Sequence, residues 1–145
     1  MKYIFWLSIC SLLLLSTSCG SDDDVSSLSI SDYVSDNNLN TTVTPSGLNY
    51  VINNPGSGAT PTSASTVTVN YRGYFLNGET FDSGDNVTFP LSNVIRGWTE
   101  GLQLISEGGS ITLLIPSNLA YGTTARGSIP ANTNLAFDVD LLAVN

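Results

Sequence analysis

The sequence predicts an α+β domain in which an antiparallel sheet wraps around one short helix. Several segments after residue 46 alternate apolar with polar residues, which is the period of a strand with one buried face. Apolar residues fall convincingly at helical spacing only in residues 96–106. A single helix is too few for the alternating units of a parallel sheet, so we expect the strands to pair antiparallel.

Turn-forming residues separate the predicted strands. The longest is Thr66–Phe75, and Asn77-Gly78 after it is typical of a tight turn into Thr80 and Phe81. The other strand segments comprise residues 48–52, 87–91, 111–115 and 135–141.

The predicted helix buries Trp98, Leu102 and Ile105 along one face, and Gly108-Gly109 follows as a stop signal. In the last strand the apolar residues alternate with Asp138 and Asp140, which are expected to face outward. The helix therefore packs on the apolar face of the sheet.

Charge and composition exclude several classes of function. The chain has 4 Lys and Arg against 12 Asp and Glu, for a net charge of −8, and nucleic-acid binding relies on clustered cations that it lacks. It contains no histidine, which removes the usual general base and the commonest metal ligand. No metal or cofactor is expected.

The amino terminus has the layout of a signal peptide. Lys2 precedes an apolar run over residues 4–15, and small residues lead into Cys19. The run is short for a membrane span, although a short anchor helix is the alternative interpretation. Residues 1–18 are therefore predicted to be removed.

The segment LLLLSTSCG resembles a bacterial lipobox, which implies that Cys19 is lipidated and anchors the chain in the cell envelope. Ser16 stands where the strict pattern has leucine. Gly20 after the cysteine fits the outer membrane by resemblance, and the SDDD run is either a solvated spacer or a signal for export to the cell surface. Residues 19–46 are predicted to be a flexible polar tether, with a short helical turn near Ser31 to Val34. Residues 47–145 form the domain.

Aromatic side chains of the domain lie at predicted strand ends and loop edges. They are Tyr71, Tyr74, Phe75, Phe81, Phe89, Trp98, Tyr121 and Phe137. Any one of them alone fits ordinary core packing. Together with Asp82, and with Val94 and Ile95 just before Trp98, they indicate a concave apolar site with few polar groups.

Four blocks of the sequence carry a family resemblance. In order, they are NYRGYFLNGETFDSG, FPLSNVIRGWTEGL, IPSNLAYG and GSIPANTNLAFDVDLL. They resemble the signature blocks of the FKBP family, the macrolide-binding peptidyl-prolyl cis-trans isomerases. The resemblance extends over residues 47–145.

The resemblance implies a twisted antiparallel half-barrel closed over the helix, and catalysis of X-Pro isomerisation in exported or surface proteins. The pocket residues it implies are Tyr71, Phe81, Asp82, Val94, Ile95, Trp98, Tyr121, Ile129 and Phe137. Trp98 is expected to be the floor of the pocket. Proline-containing polypeptides and macrolide inhibitors are the expected ligands, and a monomer is expected.

The chain also departs from the family pattern. Val87 stands where many members have a second phenylalanine, and Ala125 and Arg126 occupy a trimmed loop. These departures keep open a second hypothesis, a binding or chaperone module that no longer catalyses isomerisation. A structural or adhesive surface protein is a third, which the acidic tether and the anchor alone favour.

Overall fold

The computed structural model of the protein describes residues 24–145, and its centre is a six-stranded antiparallel sheet with strand order β1-β2-β5-β6-β3-β4. The strands are β1 (Thr42–Val43), β2 (Asn49–Asn54), β3 (Thr66–Phe75), β4 (Thr80–Pro90), β5 (Ser110–Ile115) and β6 (Leu135–Val144). The helices are α1 (Ile30–Asp36) and α2 (Arg96–Gly101). The predicted fold class is confirmed, and β3 has the bounds that its alternation predicts.

The two faces of the sheet follow the period of the strands. On β3, Val67 and Val69 belong to the main core, which lies between the sheet and α2, whereas Tyr74 belongs to a smaller cluster on the opposite face. Antiparallel pairing sets Gly73 beside Phe137 and Tyr71 beside Val139. The inward positions of β3 and β6 therefore meet on the face that α2 covers.

Helix α2 packs directly against β5 because two glycines one turn apart face that strand. A Cβ at Gly97 would come within 2.5 Å of Ile115 Cγ2, and one at Gly101 within 2.5 Å of Leu113 Cδ2. The helix ends at Gly101, earlier than predicted, and the chain tightens into a 3-10 turn over Leu102–Leu104. This turn still buries Leu102, so the predicted apolar face is preserved.

Strand β4 is one continuous element, where the sequence indicates two short pieces around residues 80–81 and 87–91. Its pairing with β3 shifts register between Val69 and Tyr71, which marks a bulge. At the bulge Asn86 adopts φ 54°, and its backbone N–H donates to Asn70 Oδ1 at 2.8 Å. The Asn70 side chain thus replaces a ladder bond and lets the strand continue.

Residues 24–46 differ from the predicted flexible tether. The predicted helical turn is confirmed as α1, and β1 pairs with β2 at the edge of the sheet. Apolar side chains of this segment pack on the face of the sheet opposite α2; they are Leu28, Ile30, Tyr33, Val34 and Leu39. Their i, i+3 and i+4 spacing at Ile30, Tyr33 and Val34 gives the short helix an apolar side to bury.

This packing changes the environment of one predicted surface residue. Asp140 is exposed as expected, but Asp138 is half-buried and accepts hydrogen bonds from Thr112 Oγ1 at 2.8 Å and Tyr74 OH at 3.4 Å. Asp138 does lie on the outer face, as its period requires. The amino-terminal segment that covers this face was not part of the sequence-based expectation.

Residues 1–18 and Cys19 lie outside the described residues, so the signal peptide, the lipidation site and the division of the chain at residues 18 and 46 stay predictions. Within residues 24–145, the structure contains no helix long and apolar enough to cross a membrane.

Candidate functional site

A cavity of about 540 Å³ opens between β3, β4, α2 and the loop before β6. The structure brings every predicted site residue of the domain to this cavity. They are Tyr71, Phe81, Asp82, Val94, Ile95, Trp98, Tyr121, Ile129 and Phe137. Their placement around one cavity is a finding, whereas their roles in catalysis stay predictions.

The indole of Trp98 is held at the cavity by aromatic rings on three sides. It makes edge-to-face contacts with Tyr71, Phe89 and Phe137 at centroid distances of 5.3, 5.8 and 5.4 Å. Trp98 is 4% exposed, and its Nε1 is buried without a hydrogen-bond partner within residues 24–145. A buried N–H normally has a hydrogen-bond partner, and this one has none among these residues. Ring packing and not hydrogen bonding therefore fixes the indole.

A second aromatic wall depends on a glycine in β3. Phe81 and Phe137 meet edge to face at 5.5 Å, and Phe75 lies 5.0 Å from Phe81. A Cβ at Gly73 would come within 2.6 Å of Phe137 Cε1 and 2.8 Å of Phe81 Cε2. Only a residue without a side chain therefore lets both rings lie against β3.

A hydrogen-bonded pair forms the polar part of the rim. The Tyr71 hydroxyl donates to Asp82 Oδ2 at 2.8 Å, and the Ser83 backbone N–H donates to Asp82 Oδ1 at 2.9 Å. Burial, and then the hydrogen bond to Asp82, raise the pKa of Tyr71 to about 12. The phenol holds its proton in the hydrogen bond to Asp82 and keeps the carboxylate in one orientation.

Ile95 places a backbone donor at the cavity. It is the extended residue directly before α2, and its carbonyl accepts the first helical bonds, from the N–H groups of Trp98 and Thr99. The first N–H groups of a helix have no partner within the helix, so the Ile95 N–H can serve a ligand. The Thr99 hydroxyl donates to the Leu91 carbonyl at 2.7 Å and fixes the preceding turn.

The loop over residues 116–134 supplies the remaining wall. Arg126 and Ile129 form a small bridge with two backbone hydrogen bonds of 2.8 and 2.9 Å. Ile129 is 7% exposed and belongs to the main core. The Gly122 carbonyl accepts from Asn132 N–H at 2.7 Å, which closes the base of the loop beside Tyr121.

Some residues line the cavity without belonging to the predicted set. They are Phe89, Asn93, Arg126, Gly127 and Ser128. Phe89 could have been included from its position in the aromatic series, since it stands inward on β4. Val87, two residues earlier, packs near Tyr71 instead, where a Cβ at Gly84 would lie 2.7 Å from Val87 Cγ2.

The cavity is small, has aromatic walls and lies between one helix and an antiparallel sheet. These features define a class of proteins that bind a compact apolar group and donate hydrogen bonds to the peptide backbone beside it. The sequence model of the FKBP-type peptidyl-prolyl cis-trans isomerases matches residues 58–142. The chain belongs to this family, and the family resemblance of its sequence blocks is confirmed.

Curated relatives and solved structures agree with this assignment. The chain is 49% identical over 105 residues to the FKBP-type peptidyl-prolyl cis-trans isomerase FkpA of Aeromonas hydrophila, a match that covers 70% of this chain and 39% of the relative. A probable FkpA of Neisseria meningitidis is 51% identical over 106 residues, with the same shares covered. The chain thus spans about two fifths of the length of these relatives.

The crystal structure of FkpA from Escherichia coli superposes with a TM-score of 0.74 at 39% identity, covering 79% of this chain and 56% of that one. A peptidyl-prolyl cis-trans isomerase structure from Pseudomonas syringae gives a TM-score of 0.72 at 31% identity, covering 79% and 90%. The half-barrel fold that the resemblance implies is confirmed.

Proposed function

We propose that this chain is a peptidyl-prolyl cis-trans isomerase that acts on X-Pro bonds at the aromatic cavity. The observation that carries the proposal is the cluster of aromatic rings packed around Trp98, which gives the cavity an apolar surface, with Ile95 and Tyr121 as hydrogen-bond donors at its edge. Family membership and the curated relatives support the same activity.

The chemistry requires only that the amide bond be allowed to twist. Resonance gives the bond a barrier of roughly 18–20 kcal/mol, and uncatalysed isomerisation takes about 10–100 s. Rotation removes the resonance, so the twisted transition state is less polar than the planar amide. The apolar surface that Trp98, Phe81 and Phe137 present in the cavity would therefore favour the transition state over the ground state.

Polar groups at the rim would orient the peptide. In this proposal the proline ring lies over Trp98, while the Ile95 N–H and the Tyr121 hydroxyl donate to carbonyls that flank it. Asp82, held by Tyr71, contributes a fixed negative charge beside the rotating amide and transfers no proton. Macrolides, which present a comparable apolar ring between carbonyls, are expected to compete for the same cavity.

A protease-coupled assay on an Ala-X-Pro-Phe peptide tests the activity. An isomerase shortens the slow phase in proportion to its concentration, because it converts the cis peptide into the cleavable trans form. A protein that binds the peptide without shortening this phase would contradict the proposal and favour the binding or chaperone alternative.

We also propose that the chain works in the cell envelope on exported polypeptides, anchored by a lipid on Cys19. The support is sequence alone: the signal-like residues 1–18, the small residues before the cysteine and the acidic run after it. Labelled fatty acid is expected to enter the wild-type protein and not C19S expressed in the same bacterium. Equal labelling of C19S would overturn the anchor, and protease treatment of intact cells then reports which membrane face the wild-type domain occupies.

A further inference from the structure

The described residues that line the cavity include one cation. Arg126 stands at the rim, and Asp82 is the other charged residue among them. The Asp82 oxygens already accept hydrogen bonds from Tyr71 and from the Ser83 N–H, so this carboxylate is engaged within the chain. Arg126 is exposed to solvent. The Arg126 guanidinium is therefore the rim charge that is more accessible to a ligand.

The backbone of Arg126 is fixed in a tight hairpin. Its N–H donates to the Ile129 carbonyl at 2.8 Å and its carbonyl accepts from the Ile129 N–H at 2.9 Å. Gly127 makes the turn with φ 57°, a conformation that suits glycine. Because Ile129 is buried at the cavity, the hairpin ties the position of Arg126 to the wall that contacts the ligand.

The side chain of Arg126 is directed along the aromatic rim. Its guanidinium carbon lies 5.5 Å from the centre of the Tyr121 ring, within the range of a cation–π contact. Such a contact limits the freedom of a long side chain and leaves the edges of the guanidinium open to hydrogen-bond acceptors. The cation is thus held beside the hydroxyl that is proposed to bind a carbonyl next to the proline.

We propose that Arg126 makes this site favour substrates with an aspartate or glutamate directly before or after the proline. The inference rests on the proposed isomerase function and names the substrate class of that site. Guanidinium and carboxylate match as a bidentate pair, but the pair would be largely exposed, so the expected preference is modest: about threefold to fivefold in kcat/KM. The net charge of −8 repels every acidic peptide at long range, so the preference must be measured against an Arg126 variant.

The experiment compares matched peptides that differ only by Glu or Gln beside the proline, one pair with the change before it and one with the change after it. In the wild type and in R126Q, the ratio of kcat/KM for Glu over Gln is measured at low ionic strength. We expect the ratio to fall about threefold to fivefold in R126Q for at least one pair, with the Gln peptides unaffected.

R72Q is the matched control, because it removes the same positive charge at a site away from the cavity. Arg72 packs on the Tyr74 ring, which belongs to the cluster on the opposite face of the sheet. R72Q should keep the wild-type ratio. An unchanged ratio in R126Q would overturn the proposal. If kcat/KM also falls by the same factor for the Glu and Gln peptides, Arg126 acts through the structure of the loop instead. If the wild type turns over none of the peptides, the isomerase function fails, and the ratio of dissociation constants for the same pairs decides the role of Arg126.

Discussion

Replacing Trp98 with leucine is expected to lower kcat/KM for proline isomerisation by about 30-fold to 100-fold, which corresponds to roughly 2–3 kcal/mol of lost transition-state stabilisation. Leucine fills part of the volume, but it cannot present a flat face to the proline ring or meet Tyr71 and Phe137 edge to face. The protein should still fold, since the position remains apolar. Peptide isomerisation assays on the folded variant give this value.

The substitution also weakens the core, because Trp98 is buried, so its control must lose stability without touching the cavity. Leu141→Ala does this: Leu141 is 0% exposed in the main core and is not among the cavity residues. It should cost about 2–5 kcal/mol of unfolding free energy and leave activity per folded molecule near the wild-type value. Equal activity losses in both variants would mean that Trp98 acts through stability alone.

Gly97→Val is expected to lower the unfolding free energy by about 3 kcal/mol or more, which is the upper range for forcing extra atoms into a packed core. A Cβ at this position meets Ile115 Cγ2 at 2.5 Å and Ile115 Cδ1 at 2.8 Å. Ile115 is fully buried and cannot move aside, so α2 must lift from β5. Denaturant unfolding measures the loss, and the lifted helix should also displace Trp98 and reduce activity.

Arg96→Val is the control for Gly97→Val, because it puts the same β-branched residue into the same helix at an exposed position. We expect Arg96→Val to change the unfolding free energy by no more than about 0.5 kcal/mol, as other surface substitutions do. A Gly97→Val protein as stable as the Arg96 variant would contradict the close contact between α2 and β5.

Strict alternation explains why parts of the fold were predictable. The inward Val67, Val69 and Tyr71 and the stop at Gly78 define β3 without tertiary information. Strand β4 was less accessible, because its middle residues, Ser83 to Asn86, are polar and include a glycine, which is the pattern of a loop. Its continuity depends on the Asn70 side-chain oxygen of the neighbouring strand, which accepts a hydrogen bond from the Asn86 N–H, and no local sequence pattern predicts such a contact.

The amino-terminal segment shows a different limit. Its composition is that of a linker, and only three apolar residues in helical spacing indicate α1. What holds it is the second apolar cluster on the sheet, with Leu114 and Ala136 fully buried, together with a hydrogen bond of 2.8 Å from Asn134 Nδ2 to the Leu28 carbonyl. Leu113 and Leu114 are adjacent in β5, so this strand is apolar on both faces. That pattern was the available signal that a second segment covers the outer face of the sheet.

The candidate site was predictable where the family blocks fix a residue and not where they are silent. Asp82 and most of the predicted aromatic residues meet at one cavity, whereas Tyr74 lies in the cluster on the opposite face of the sheet and Phe75 lies in the main core behind Phe81. The structure adds the direct hydrogen bond from Tyr71 to Asp82. Arg126 departs from the family pattern, so no family block predicts its role. Its position at the rim follows from the two-residue hairpin, whose geometry depends on Gly127 and on the burial of Ile129.

Exchange spectroscopy on a proline peptide at equilibrium tests the central claim most directly, because it separates catalysis from binding without a coupling protease. We expect a catalytic amount of the protein to speed cis-trans exchange in both directions while the ratio of cis to trans peptide stays constant, and we expect W98L to lose most of this effect. Exchange that stays at the uncatalysed rate, with peptide signals shifted by binding alone, would show that the cavity holds proline without promoting its rotation.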